Sequence, residues 1–143
     1  MRVILLEDDW NQVNDITEEL EDAFPGIQVQ TFKTIKAFES WLPSIDKKNP
    51  PDVFILDMMV RYQDPEKGMT LESGLGKDFF TAGFECFKAL SDFGLSDRAI
   101  IHTIATEDDL KGAGLWDLIG NNYVRKDPQS KQPLVEKIRS ITT

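Results

Sequence analysis

Short apolar runs and helical spacings take turns along this chain. Val3-Ile4-Leu5-Leu6 has strand length and ends in Glu7-Asp8-Asp9. From Trp10 to Phe24 the apolar residues Val13, Ile16, Leu20 and Phe24 recur at helical intervals. Pro25-Gly26 stops that helix. Ile27 to Phe32 alternates as a second strand. Thr34 caps a second helix that turns Ile35, Phe38, Trp41 and Leu42 inward, with Pro43 near its end. Past the loop Lys47-Lys48-Asn49-Pro50-Pro51, a third strand runs from Asp52 to Asp57.

The stretch from Met58 to about Phe80 breaks this rhythm. It holds Gly68, Gly74 and Gly76 among scattered charges and has no period, and long connections of that kind are often functional. A third helix is predicted from about Thr81 to Phe93, with Phe84, Phe87 and Leu90 inward. Ala99 to Ile104 reads as a fourth strand. Glu107 to Ile119 reads as a weak helix, because Gly112 and Gly114 each cost about 1 kcal/mol relative to alanine. Tyr123 to Arg125 is a fifth strand, and Ser130 to Ile141 a last helix with Leu134, Val135, Ile138 and Ile141 on one face. Strand followed by helix, five times, predicts an α/β fold: a doubly wound, five-stranded parallel sheet. The first, third and fourth strands are apolar throughout, as strands covered on both faces must be.

Composition narrows the picture without changing it. A chain of 143 residues with 41% apolar and 29% charged residues can bury the core of one globular domain. No apolar run is long enough to span a membrane. The opening MRVILL is too short for a signal peptide, since acids follow at once. The single Cys86 lies among Phe84, Phe87 and Leu90 and reads as a buried structural thiol, so a reducing cytoplasm is expected. A net charge of −9 argues against nucleic-acid binding and suits a cation or a basic partner.

Candidate chemistry gathers at the strand ends. Three separate strands deliver Glu7-Asp8-Asp9, Asp57 and Lys126 to their C-terminal ends. In doubly wound folds that edge is where sites form. Acids with one lysine there point to a divalent cation and a phosphoryl group. Taken singly, each motif has a plain reading: Asp9 caps a helix before Asn11, a strand-end aspartate belongs to a turn, and a lysine is solvated. His102 reads as a packed, neutral histidine. Trp10, Trp41 and Trp116 read as packing residues, with Trp10 near the rim of the acid cluster.

Together and in order, these stretches resemble the receiver domain of two-component response regulators, over almost the whole chain. VILLEDDW is similar to the family's acid-pair strand, PDVFILDMM to its phosphoacceptor strand, GFECFKAL to the start of its third helix, and NNYVRK to its fifth strand with lysine. The resemblance implies one flavodoxin-like (βα)5 receiver domain over residues 1–143, with an insertion over about residues 60–80. It implies that Asp57 takes a phosphoryl group from a histidine kinase or phosphotransfer protein. Glu7, Asp8, Asp57 and the main-chain carbonyl of Met59 would hold Mg2+. Lys126 would pair with the acids when the site is empty and with a phosphoryl oxygen when it is loaded. Thr103 is favoured as the switch hydroxyl, with Thr106 as its rival, and Tyr123 would turn inward behind it. The output would be contacts with a downstream protein target. A homodimer through the fourth helix, fifth strand and fifth helix is also compatible. Such a domain is a phosphoacceptor that assists its own phosphorylation and dephosphorylation, and is not a turnover enzyme. Met1 stands just before the first strand, as a natural start would, and no DNA-binding output is expected after Thr143.

The chain departs from the family in two places. The loop after the phosphoacceptor strand is longer by about twenty residues. It carries Asp64, Glu66, Glu72 and Asp78, and Val60-Arg61 stand near the usual proline. Asp127 separates Lys126 from Pro128, where the family often has proline directly after its lysine. These departures favour the alternative of a phosphorylation-independent, receiver-like binding module. A phosphatase with an aspartyl nucleophile usually needs a second acid two residues on, where Met59 stands. A flavin site would need a Ser/Thr/Gly-rich loop after the first strand, and none is present.

Overall fold

A computed structural model describes residues 1–60 and 82–143. The strands are β1 (Arg2–Leu6), β2 (Gln28–Phe32), β3 (Val53–Leu56), β4 (Ala99–Thr103) and β5 (Tyr123–Arg125). All pair in parallel, in the order β2-β1-β3-β4-β5. The helices are α1 (Trp10–Ala23), α2 (Ile35–Trp41), α3 (Ala82–Asp92), α4 (Glu107–Gly112), α5 (Trp116–Ile119) and α6 (Gln132–Thr142).

Strand alternation sorts the core into two layers. Ile4, Leu6, Phe54, Leu56, Ala99 and Ile101 face one side, where α2, α3, α4 and α5 supply Phe38, Leu90, Leu110 and Ile119. Val3, Leu5, Val53, Ile55, Ile100 and Val124 face the other, against Val13, Ile16 and Leu20 of α1 and Leu134, Val135 and Ile138 of α6. The three central strands are buried on both faces, which is why their sequences are unbroken apolar runs. Edge strand β2 is only half-buried and keeps the alternating pattern. The chain passes from β1 outward to β2 on one side, then crosses back over β1 to β3 on the other. The topological switch point therefore lies between β1 and β3.

Local chemistry sets the helix ends. The Asp9 carboxylate accepts the N–H groups of Asn11 and Gln12 at 2.9 and 3.4 Å and caps α1. Thr34 caps α2 through the N–H of Ala37 at 3.1 Å. The single helix expected over Glu107–Ile119 is instead two short ones. Gly114 adopts φ +75°, the Gly114 N–H donates to Lys111 at 3.0 Å, and the Leu115 N–H donates to Leu110 at 2.9 Å. This is a Schellman ending, and glycine permits it at no steric cost. Gly94 ends α3 in the same way. Other boundaries shift little: β2 starts at Gln28, β3 stops at Leu56 so that Asp57 lies just past it, and α6 starts at Gln132. The expected insertion and its acids Asp64, Glu66, Glu72 and Asp78, together with Thr81, lie outside the described residues.

Candidate functional site at the sheet edge

Glu7 and Asp57 sit one residue past adjacent strands on either side of the switch point. Backbone bonds continue the sheet pattern to both: the Asp57 N–H donates to Leu6 at 3.1 Å and the Glu7 N–H to Phe32 at 3.0 Å. Both side chains are buried. The Met59 N–H donates to Asp57 Oδ1 at 3.1 Å and orients that carboxylate. The Asp9 N–H lies 3.3 Å from Glu7 Oε2.

Lys126 joins them. Its ammonium donates to Asp57 Oδ2 at 2.8 Å and also to Glu7 Oε1. Its side chain is 9% exposed. The Lys126 N–H donates to the Thr103 carbonyl at 2.8 Å, which fixes the root of the side chain beside the end of β4. One ammonium thus serves two buried carboxylates, and the charges do not balance. Burial and the Asp57 charge push Glu7 from 4.5 up to about 7, although Lys126 pulls the other way. Burial would pull Lys126 down, but the charges of Asp57 and Glu7 outweigh it and hold Lys126 above its ordinary value.

The start of α3 packs directly under the acceptor. The Gly83 N–H donates to the Met58 carbonyl at 2.9 Å. A Cβ at Gly83 would lie 1.9 Å from the Asp57 carbonyl oxygen, so no larger residue fits. The sequence marked Gly83 only as a helix start, and its close approach to Asp57 appears only in three dimensions.

No protein-family model and no curated protein sequence matches the chain. Solved structures do. RcsB from Salmonella enterica serovar Typhimurium, bound to promoter rprA in the presence of phosphomimetic BeF3−, is 21% identical, with a TM-score of 0.67 over 100% of this chain and 99% of that one. The phosphorylated cyanobacterial phytochrome response regulator RcpA is 20% identical, with a TM-score of 0.60 over 98% of this chain and 89% of that one. The Mn(2+)-bound form of response regulator Rcp1 is 18% identical, with a TM-score of 0.62 over 98% and 90%.

The chain has the response regulator receiver fold.

Within the receiver fold, Glu7, Asp57 and Lys126 come together. Asp8 lies beside Glu7 and is half-buried. Met59 is tied to Asp57 through its own N–H. Thr103 is the last residue of β4 and is fully buried, and its hydroxyl accepts the Ala105 N–H at 3.4 Å. Thr106 lies beyond the strand. It caps α4 in a reciprocal box: its hydroxyl accepts the Asp109 N–H at 3.1 Å, and its own N–H donates to Asp109 Oδ2 at 2.8 Å. The Tyr123 hydroxyl donates to the Ala105 carbonyl at 2.6 Å, and its ring meets Trp116 edge-on at 5.5 Å. Trp10 is 60% exposed, so it is no packing residue, and Lys33 lies over its ring at 4.5 Å.

Among the described residues, no set of three or more His, Cys, Asp or Glu side chains is gathered tightly enough to hold a metal ion as arranged. The donor chemistry of the receiver site nonetheless suits a hard divalent cation. Glu7, Asp8 and Asp57 carry hard oxygen donors, and the raised Glu7 value marks the positive charge this pocket lacks. No helix among the described residues is long and apolar enough to cross a membrane.

Proposed function

We propose that this chain accepts a phosphoryl group on Asp57 from a histidine kinase or phosphotransfer protein, in the cytoplasm, and signals through contacts with a downstream protein. One observation carries the reading: a single buried ammonium, Lys126, holds the carboxylates of two neighbouring strand ends at the switch point. Burying three charges for stability alone is a poor bargain against apolar packing, whereas phosphoryl transfer to a carboxylate needs this arrangement. Asp57 is the nucleophile, and the Met59 N–H holds its orientation. Lys126 can move its ammonium from the acids to a phosphoryl oxygen. Among the described residues the Thr103 hydroxyl accepts only a long bond from the Ala105 N–H, which leaves its own proton to donate to a phosphoryl group. Mg2+ held by Glu7, Asp8, Asp57 and the Met59 carbonyl would supply charge neutralisation between donor and acceptor. Solved neighbours in a phosphorylated and in a Mn(2+)-bound form support both halves of this proposal. The chain is then a phosphoacceptor that assists its own loading and unloading, with no turnover of a separate substrate.

Incubation with Mg2+ and a small acyl phosphate tests the reading by mass spectrometry. The expected result is a gain of one phosphoryl group that Asp57→Asn abolishes. No gain, and no response to beryllofluoride, would overturn it in favour of a module that acts by contact alone.

A further inference from the structure

His102 has no part in the chemistry above, and stability does not account for it. It is 2% exposed on a central strand, where a leucine would pack. Its Nδ1 is buried without a hydrogen-bond partner among the described residues. An orphaned nitrogen of this kind costs on the order of 1–3 kcal/mol and calls for an explanation.

Register supplies one. β1 and β3 pair Leu6 with Leu56, and β3 and β4 pair Leu56 with Ile101. One residue further along, Glu7, Asp57 and His102 stand in a row on three adjacent strands. His102 pairs with Val124 of β5 and shares its face, the side of α1 and α6. Lys126 is two residues past Val124 and so rises from that same face. To reach Asp57 on β3 from the end of β5, the Lys126 side chain must cross β4. That is two strand spacings, about 10 Å between backbones. By the same register Ile104 stands opposite Lys126, and His102, the buried residue next along β4 on that face, stands level with Asp57 where the crossing ends. The ring is also held neutral: burial, then the charges of Lys126 and Lys131, lower its pKa to about 3. It therefore adds a dipole without adding a second cation.

We propose that His102 is a positioning residue for Lys126: a neutral, polar floor that supports the lysine stem and sets where its ammonium meets Glu7 and Asp57. An aliphatic floor would fill the volume but leave the desolvated ammonium over hydrocarbon. The role deepens the phosphoacceptor reading and rests on it, yet the geometry can be tested without phosphate.

In the unphosphorylated protein, NMR should show cross-relaxation between the His102 ring protons and the Lys126 methylenes. His102→Ala should shift the Lys126 Cε resonance while core methyl resonances stay in place, and should slow phosphoryl uptake from a small acyl phosphate about tenfold. His102→Gln, neutral and polar, should fold if the smaller variant does not, and should keep uptake within about twofold of the native rate. Absence of the ring-to-stem signal, or unchanged Lys126 resonances in the alanine variant, overturns the inference. If the native protein takes up no phosphoryl group, the functional reading fails while the NMR result still decides the role of His102.

Discussion

One ammonium against two buried carboxylates leaves an imbalance that single residues make measurable. Asp57→Asn removes one charge, the one that together with burial raises Glu7. It should abolish phosphoryl uptake and stabilise the metal-free protein at about pH 8 by about 1 kcal/mol, read by urea unfolding. Glu7 itself sets a pH dependence. Its folded pKa of about 7 lies above the ordinary 4.5, so the folded state binds the proton more tightly. That stabilisation is full below pH 4.5 and is lost as the pH rises through about 7. With a chelator present, Glu7→Gln should flatten the decline between about pH 5 and about pH 8. An unchanged slope in the variant would count against this view of the pocket.

At the scale of elements, α3 and α4 meet the site in different ways. The first turn of α3 abuts the acceptor backbone, with Gly83 where a Cβ would strike the Asp57 carbonyl. Gly83→Ala should destabilise the protein by about 3 kcal/mol or more, through overpacking against backbone that cannot yield. It should also impair phosphoryl uptake, because the shift falls on Asp57. α4 is anchored by its cap. Thr106→Ala should cost about 1 kcal/mol through loss of the capping hydroxyl and leave phosphoryl uptake in place, whereas Thr103→Ala should weaken uptake and retention. Unfolding curves beside phosphorylation time courses separate the two threonines, and equal loss of uptake in both would reopen the choice between them.

Across the whole molecule, the site reaches the surface through Tyr123. Its hydroxyl ties β5 to the Ala105 carbonyl, and its ring abuts Trp116 on α5. Any change in the Thr103–Ala105 corner should therefore alter tryptophan emission. Adding Mg2+ and beryllofluoride is expected to change the fluorescence, and Trp116→Phe should remove most of that change. A full response from the variant would place the reporter at the exposed Trp10 instead. The short α4 and α5, parted by the glycine turn at Gly114, are small units to rearrange, which suits a surface that responds to the site.

Periodicity by itself determined the five β-α units, the inward residues of α1, α2, α3 and α6, and the strand ends where chemistry gathers. Those features follow from burial on one or two faces, and burial leaves a period in the chain. Asp57 and Glu7 were legible because unbroken apolar runs deliver them, and Lys126 because it follows the short strand Tyr123-Val124-Arg125. The split of Glu107–Ile119 was not, because glycine within a helical pattern weakens a helix without saying where it ends; the bonds from Gly114 and Leu115 decided that. Thr103 and Thr106 are equivalent by composition, and only the end of β4 and the cap of α4 set them apart. The fit of Gly83 against Asp57 is a contact between segments far apart in sequence, and the place of His102 level with Asp57 comes from strand pairing between such segments. Such contacts depend on strand order and register, which only the tertiary structure supplies.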